Sequence, residues 1–98
     1  MTRLVWSGRL ADDLDRIETH LRAHDASEVQ ERITEIIESL LVLERHPLIG
    51  RKVNSGRREL VIGRGARGYV ALYAYDPQGD VVVVAALRAQ REAGFGEP

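Results

Sequence analysis

The chain has no cysteine, which excludes both a disulfide scaffold and a thiolate zinc site. It has no apolar run long enough to span a bilayer, and no basic-then-apolar stretch opens the N-terminus. A cytoplasmic protein is therefore the expectation. Internal repeats, low-complexity tracts and linker composition are missing, so the 98 residues are expected to fold as one domain, 1–98. Net charge is nearly absent as well: 14 Lys and Arg stand against 15 Asp and Glu, a net of -1. That balance argues against a general nucleic-acid coat. No strained-turn motif sets a serine nucleophile beside a base, so nucleophilic catalysis has no support in the sequence.

The charge that is present is unevenly placed. Residues 1–49 carry six Arg against ten acids, a net of -4, and residues 50–98 carry eight Arg and Lys against five acids, a net of +3. The second half can therefore present a local basic face, or the two halves can simply be differently solvated surfaces.

Periodicity supplies the elements. Leu4, Val5 and Trp6 suit a short first strand. Ser7 is a candidate N-cap, its hydroxyl able to accept from a free amide of the first turn. Leu10, Leu14, Ile17 and Leu21 then share one helical face. Ser27 with Gln30 three residues on has the form of a capping box. Val29, Ile33, Ile36, Ile37, Leu40, Leu41 and Leu43 form a broad apolar stripe for a second helix, which Pro47 is expected to end. The short join around Asp25 predicts an antiparallel helical hairpin. A connector from Ile49 to Arg57 follows, and the period then changes to two. Leu60 to Ile62 is a strand. Tyr69, Tyr73 and Tyr75 share one parity of the next, with Val70 and Leu72 on the other. Asp76 to Gly79 is a turn. Val81 to Val84, apolar on both parities, predicts a central strand covered on both faces. The order β-α-α-β-β-β predicts an α+β fold, the N-terminal helical hairpin packed on one face of a mostly antiparallel twisted sheet.

Gly63, Gly65 and Gly68 match a G-x-G-x-x-G pattern after a strand. A dinucleotide site needs a helix next, and Tyr69 to Tyr75 alternates like a strand, so a hairpin loop is expected. His20 and His24 have chelating spacing on a helix but no third ligand nearby in sequence, so they read as surface residues and no metal or cofactor is expected. The arginines at strand ends remain. Arg58, Arg64, Arg67, Arg88 and Arg91 can converge on one rim suited to an anion or an acidic partner, or can simply be solubilising residues at strand ends.

Several stretches together carry a family resemblance. They are Trp6-Ser7 with Ala11, Asp13, Leu14 and Ile17; His46-Pro47 with Gly50-Arg51; Arg58-Glu59-Leu60-Val61; Gly68-Tyr69-Val70 with Tyr73; Val81 to Leu87; and Arg91-Glu92 with Gly94-Phe95. In this order they resemble the RelE/ParE superfamily of bacterial toxins over nearly the whole chain. The resemblance implies a helical hairpin on an antiparallel sheet, a type II toxin–antitoxin module, and an antitoxin whose C-terminal segment folds across the toxin.

The superfamily has two branches. RelE-like members cut messenger RNA on the ribosome; ParE-like members bind DNA gyrase. Where RelE-like toxins have an arginine after Gly-Tyr this chain has Val70. Gln90 stands in place of their tail arginine, with Arg91 adjacent, and Phe95 in place of their late tyrosine. These departures, with the neutral net charge, imply the ParE-like branch: a non-catalytic gyrase-binding toxin in a hetero-oligomer with an acidic antitoxin. The target-binding residues expected are Arg58, Arg67, Arg88, Arg91, Tyr69 and Phe95. A RelE-like ribonuclease is one alternative. A non-toxic binding module is the other, since Ala89 replaces a histidine that many relatives carry.

Overall fold

The computed structural model describes residues 1–24, 26–64 and 67–91. Strand β1 (Arg3–Trp6) leads into helix α1 (Gly8–His24) and helix α2 (Val29–Leu41). Strands β2 (Arg51–Lys52), β3 (Arg58–Ile62), β4 (Tyr69–Asp76) and β5 (Val81–Ala89) follow. The five strands form one sheet in the order β1-β5-β4-β3-β2. Every pairing is antiparallel except that of β1 with β5, which is parallel and sets Arg3 opposite Val81 and Trp6 opposite Val84. This is the α+β architecture read from the sequence, with a two-residue strand added inside the connector. No described helix is long and apolar enough to cross a membrane.

Helix α1 starts where the serine cap predicts. The Leu10 amide donates to Ser7 Oγ at 3.1 Å, and the same hydroxyl donates to the Ala85 carbonyl at 2.8 Å. One side chain thus caps the helix and fastens it to β5. Helix α2 begins later than the Ser27–Gln30 pattern predicts. A single 3₁₀ turn (Ala26–Glu28) takes up the stretch, and the helix begins at Val29 behind Glu28, which makes no side-chain cap bond. Gln30 donates from Nε2 to Thr34 Oγ1 on the helix surface. The helix also ends well before Pro47, at Leu41, where the chain tightens into the 3₁₀ turn Val42–Glu44.

Both helices cover one face of the sheet. Leu10, Ile17 and Leu21 of α1 and Val29, Ile36 and Leu40 of α2 meet Ile62, Ala71, Tyr73, Val82, Val84 and Leu87. Burying each larger side chain contributes about 2 kcal/mol. The apolar stripe of α2 is narrower than its sequence: Ile37 and Leu41 are exposed.

Among the described residues no helix covers the other face of the sheet at Val81 to Val84, which corrects the reading of that stretch. Val82 and Val84 are fully buried, but Val83 is 38% exposed, and its neighbour Val5 is 36% exposed. The register of β4 with β5 slips between Leu72, opposite Ala86, and Tyr73, opposite Val84, leaving Ala85 as an extra residue. This bulge flips parity along β5. Val82 and Val84 face the helices before it, and Leu87 faces them after it.

The bulge also exposes a problem at the edge of β5, because β1 ends at Trp6. Beyond it, α1 side chains satisfy the β5 backbone. Asp13 Oδ2 accepts from the Leu87 amide at 2.9 Å, and Arg16 donates to the Leu87 carbonyl at 3.4 Å. Helix and strand are therefore joined by polar bonds as well as by packing.

Candidate functional site

The junction between the β3–β4 loop and β4 is built tightly. Gly63 turns the chain out of β3 with φ +75, in the left-handed region that suits glycine. The loop then runs into strand β4, so the glycine pattern lacks the helix a dinucleotide site requires. At Gly68 a Cβ would lie 2.6 Å from Gln90 Oε1 and 3.1 Å from the Ile62 carbonyl. The Gly68 carbonyl accepts from the Gln90 amide at 2.9 Å. A glycine eases the close approach of the end of β3, the start of β4 and the turn after β5, since a Cβ here would make Gln90 swing away and crowd the Ile62 carbonyl. That approach places Tyr69 opposite both Ile62 and Ala89.

A cavity of about 360 Å³ opens here, between the C-terminal half of α1 and the Tyr69–Ala89 end of the sheet. Its floor is apolar: Ile17 and Leu21 from α1, Tyr69 from β4 and Ala89 from β5. Its polar lining is basic: Arg16, Arg32, Arg67 and Arg91, with the imidazoles of His20 and His24. Burial pushes the Tyr69 hydroxyl above its ordinary pKa; the Arg67 and Arg91 charges oppose the rise and Glu35 adds to it. The tyrosine is therefore a neutral wall at physiological pH. Guanidinium groups around an apolar floor suit a ligand that combines carboxylate or phosphate groups with an apolar part.

One carboxylate already sits at this rim. Arg67 Nη2 donates to Glu28 Oε2, and Arg32 lies 3.8 Å from the same oxygen. The contact ties the β3–β4 loop to the turn between the helices. On the far side of it, Glu28, Glu31 and Glu35 line a second, more open cleft together with Arg32, Arg64 and Arg67.

Of the expected site residues, Arg67, Tyr69 and Arg91 come together at the cavity. Arg58 does not. It opens β3 opposite Tyr73, a strand's length from Tyr69, and its Nη1 donates to the carbonyls of Leu48 at 3.1 Å and Gly50 at 2.8 Å. Arg88 is also elsewhere. It pairs with Val70 on the face of the sheet away from the helices, because the Ala85 bulge reverses its parity. Its Nη1 donates to the carbonyls of Ala89 and Gln90, both at 3.2 Å. Phe95 lies outside the described residues. Arg16 and Arg32 were missed. A signal existed for Arg16: with His20 and His24 it runs at four-residue steps beside Ile17 and Leu21, a basic stripe along an apolar one.

The histidines and the other tyrosines have structural engagements. The rings of His20 and His24 stack at 4.4 Å, and His24 Nδ1 lies 2.9 Å from the His20 carbonyl, which requires a proton on that nitrogen. Among the described residues no group of three or more His, Asp or Glu side chains is arranged to hold a metal. The Tyr73 hydroxyl is fully buried and accepts from the Gly50 amide at 2.8 Å. Burial raises its pKa, with the Gly50 bond and Arg58 opposing. The Tyr75 hydroxyl donates to Asp80 Oδ1 at 3.0 Å, and that bond is the main cause of its raised pKa.

The fold and this site can be set beside known proteins. A solved structure described as a chromosomal ParDE toxin–antitoxin system from P. aeruginosa superposes with a TM-score of 0.77 at 22% identity, covering 91% of this chain and 96% of that one. The toxin–antitoxin complex RelBE2 from Mycobacterium tuberculosis superposes at 0.64 and 18% identity, covering 91% and 98%. No curated protein matches the sequence. The family model for the ParE toxin of the type II toxin–antitoxin system parDE matches residues 4–94. The chain, with its helical hairpin on a five-stranded sheet, belongs to the ParE toxin family of type II toxin–antitoxin systems.

Proposed function

We propose that this toxin is cytoplasmic, acts by binding DNA gyrase rather than by cleaving RNA, and is silenced in a hetero-oligomer with an acidic antitoxin. The observation that carries the binding reading is the arginine-rimmed apolar cavity. Arg67, Tyr69 and Arg91, three residues expected to contact the target, meet there with Arg16. Arginine and aromatic side chains in such a setting are efficient anchors for a protein partner. The tyrosines argue against acid–base chemistry on RNA. The Tyr73 hydroxyl is enclosed against Gly50, and that of Tyr75 is engaged by Asp80. Both have raised pKa values, so neither is poised to give up a proton near neutral pH. Both solved relatives come from toxin–antitoxin modules, and the net of +3 on residues 50–98 suits an acidic partner.

The test is a supercoiling assay with purified gyrase and the free protein, the antitoxin-bound form serving as control. Inhibition by the free protein alone is the expected result. No inhibition at concentrations well above the enzyme, with codon-positioned cuts in messages of induced cells, would move the protein to the ribonuclease branch. No inhibition and normal growth on induction would leave a binding module without toxicity.

A further inference from the structure

The stretch His46-Pro47 with Gly50-Arg51 has no part in the cavity. It forms the turn that leads into β2, with Leu48 and Ile49 in its middle. These two side chains are 59% and 55% exposed, the most exposed of the described leucines, isoleucines and valines. The backbone that carries them is nonetheless fixed. The Ile49 amide donates to the His46 carbonyl at 3.2 Å, and the Gly50 amide donates to the Tyr73 hydroxyl at 2.8 Å. Arg58 holds the Leu48 and Gly50 carbonyls as well, but the first two bonds stand without it. The fold gains little from holding two aliphatic side chains in water. A partner gains more, because a contact already ordered loses little further entropy on association.

Leu48 and Tyr75 are shared by two shallow depressions. One, of about 480 Å³, is completed by Pro47 and Ile49. The other, of about 400 Å³, has Val53 and Pro77 on its wall, with Lys52 and Arg58. Together they make an apolar surface at the Tyr75 end of β4, about 20 Å along the strand from Tyr69 and the cavity. Its surroundings are basic: residues 45–58 include five Arg and Lys and no Asp or Glu. Asp80, which accepts from the Tyr75 hydroxyl, is held by Thr2 as well. A second copy of this chain would bring like charge against like charge here. A nucleic acid would leave the two aliphatic side chains without apolar cover, and Arg58 is already engaged by carbonyls. A protein surface with an apolar hollow edged by carboxylates satisfies both the side chains and the charge.

We propose that Leu48 and Ile49 form a second, preformed docking point, through which the toxin engages an apolar, acid-edged hollow on its protein target. The proposal rests on the gyrase reading for the identity of that target and not for the surface itself.

The experiment measures the concentration of full-length protein that halves supercoiling by DNA gyrase, with urea midpoints as the check on folding. Leu48→Ser and Ile49→Ser are each expected to raise that concentration about tenfold. Their midpoints should not change, because both side chains already stand in water. Lys52→Glu is expected to raise it about threefold, an effect that fades in high salt. Val61→Thr alters an aliphatic side chain of similar exposure, 53%, elsewhere on the sheet, and is expected to leave it unchanged. Inhibition at the wild-type level by both serine variants overturns the proposal. A wild-type dimer that Leu48→Ser dissociates overturns it in favour of a second copy. Retardation of plasmid DNA without gyrase, abolished by Lys52→Glu, overturns it in favour of nucleic acid. If the wild type does not inhibit gyrase, the gyrase reading fails by itself and growth arrest on induction decides the surface. Relief of arrest by both serine variants then keeps the docking point, on another protein. Arrest unchanged in them, or no arrest with the wild type, overturns it.

Discussion

Arg58 and Arg67 flank the same strand, β3, and do opposite work. Arg58 is turned inward over the connector, where its guanidinium holds the Leu48 and Gly50 carbonyls. Beneath it the Tyr73 hydroxyl takes the Gly50 amide. The connector has little regular structure of its own, so this clamp satisfies backbone groups that no strand or helix reaches. Arg67 stands beyond the far end of β3, exposed, engaging a carboxylate that is itself half in water. The first arginine stabilises the fold and has little left to offer a ligand. The second contributes little to the fold and can exchange partners. A residue type alone does not reveal this division; the carbonyls within reach of each guanidinium do.

Substitutions can break that contrast. The largest effect is expected from Gly50→Ala, whose Cβ would stand 2.7 Å from the Tyr73 ring and hydroxyl and 2.8 Å from the Glu59 carbonyl. Such overpacking of a closed site costs about 3 kcal/mol, read as a lower urea midpoint. Arg58→Ala should cost about 2 kcal/mol by leaving two carbonyls without their charged donor, while gyrase inhibition by the folded variant stays at the wild-type level. Loss of inhibition with retained stability in that variant would contradict the assignment. Ser7→Ala removes both the α1 cap and the bond to Ala85, for about 1 kcal/mol. Arg67→Ala should change stability by less than about 0.5 kcal/mol yet relieve growth arrest on induction. A large drop in its unfolding midpoint would merge it with Arg58 as a structural residue.

A pH series sharpens the picture at a third place. Asp80 accepts from Thr2 Oγ1 at 2.6 Å and from the Tyr75 hydroxyl, and these two bonds hold its carboxyl below the usual carboxylate range. A depressed folded pKa contributes stability above about pH 4 that is lost as pH falls through the folded value. The raised pKa values of Tyr69, Tyr73 and Tyr75 act at the other end. Their contribution is fully present below about pH 10 and is lost as pH rises through the folded values. Urea midpoints of wild type and Asp80→Asn across pH should therefore converge in acid. Asparagine tolerates the φ of 49 at this position, so the comparison isolates the charge.

Much of the fold was legible because it depends on local pattern. The Leu10, Leu14, Ile17 and Leu21 spacing is a helix wherever it occurs, and Ser7 is a cap by its position alone. The shared parity of Tyr69 and Tyr73 correctly put them on one face, although that face proved to be the buried one. What failed depends on partners distant in sequence. The helix start read at Ser27 moved to Val29, behind the tight turn that joins the helices. The outward turn of Arg88 follows from an extra residue at Ala85, which no alternation in the sequence marks. The site was half legible for the same reason. Arg67, Tyr69 and Arg91 were found as strand-end residues. Arg16 and Arg32 look like ordinary solvated helix positions until α1 is laid across β5.

The parallel pairing of β1 with β5 also sets an order in time. The first strand to be synthesised has no partner strand until Val81–Ala89, the last of the described strands, has been made. Pairing across that sequence separation is slow compared with forming either helix. The arginine-rimmed cavity has the same schedule, since one wall comes from α1 and another from Ala89 and Arg91. A chain still growing on the ribosome thus carries helices and part of a sheet, but not yet a finished binding surface.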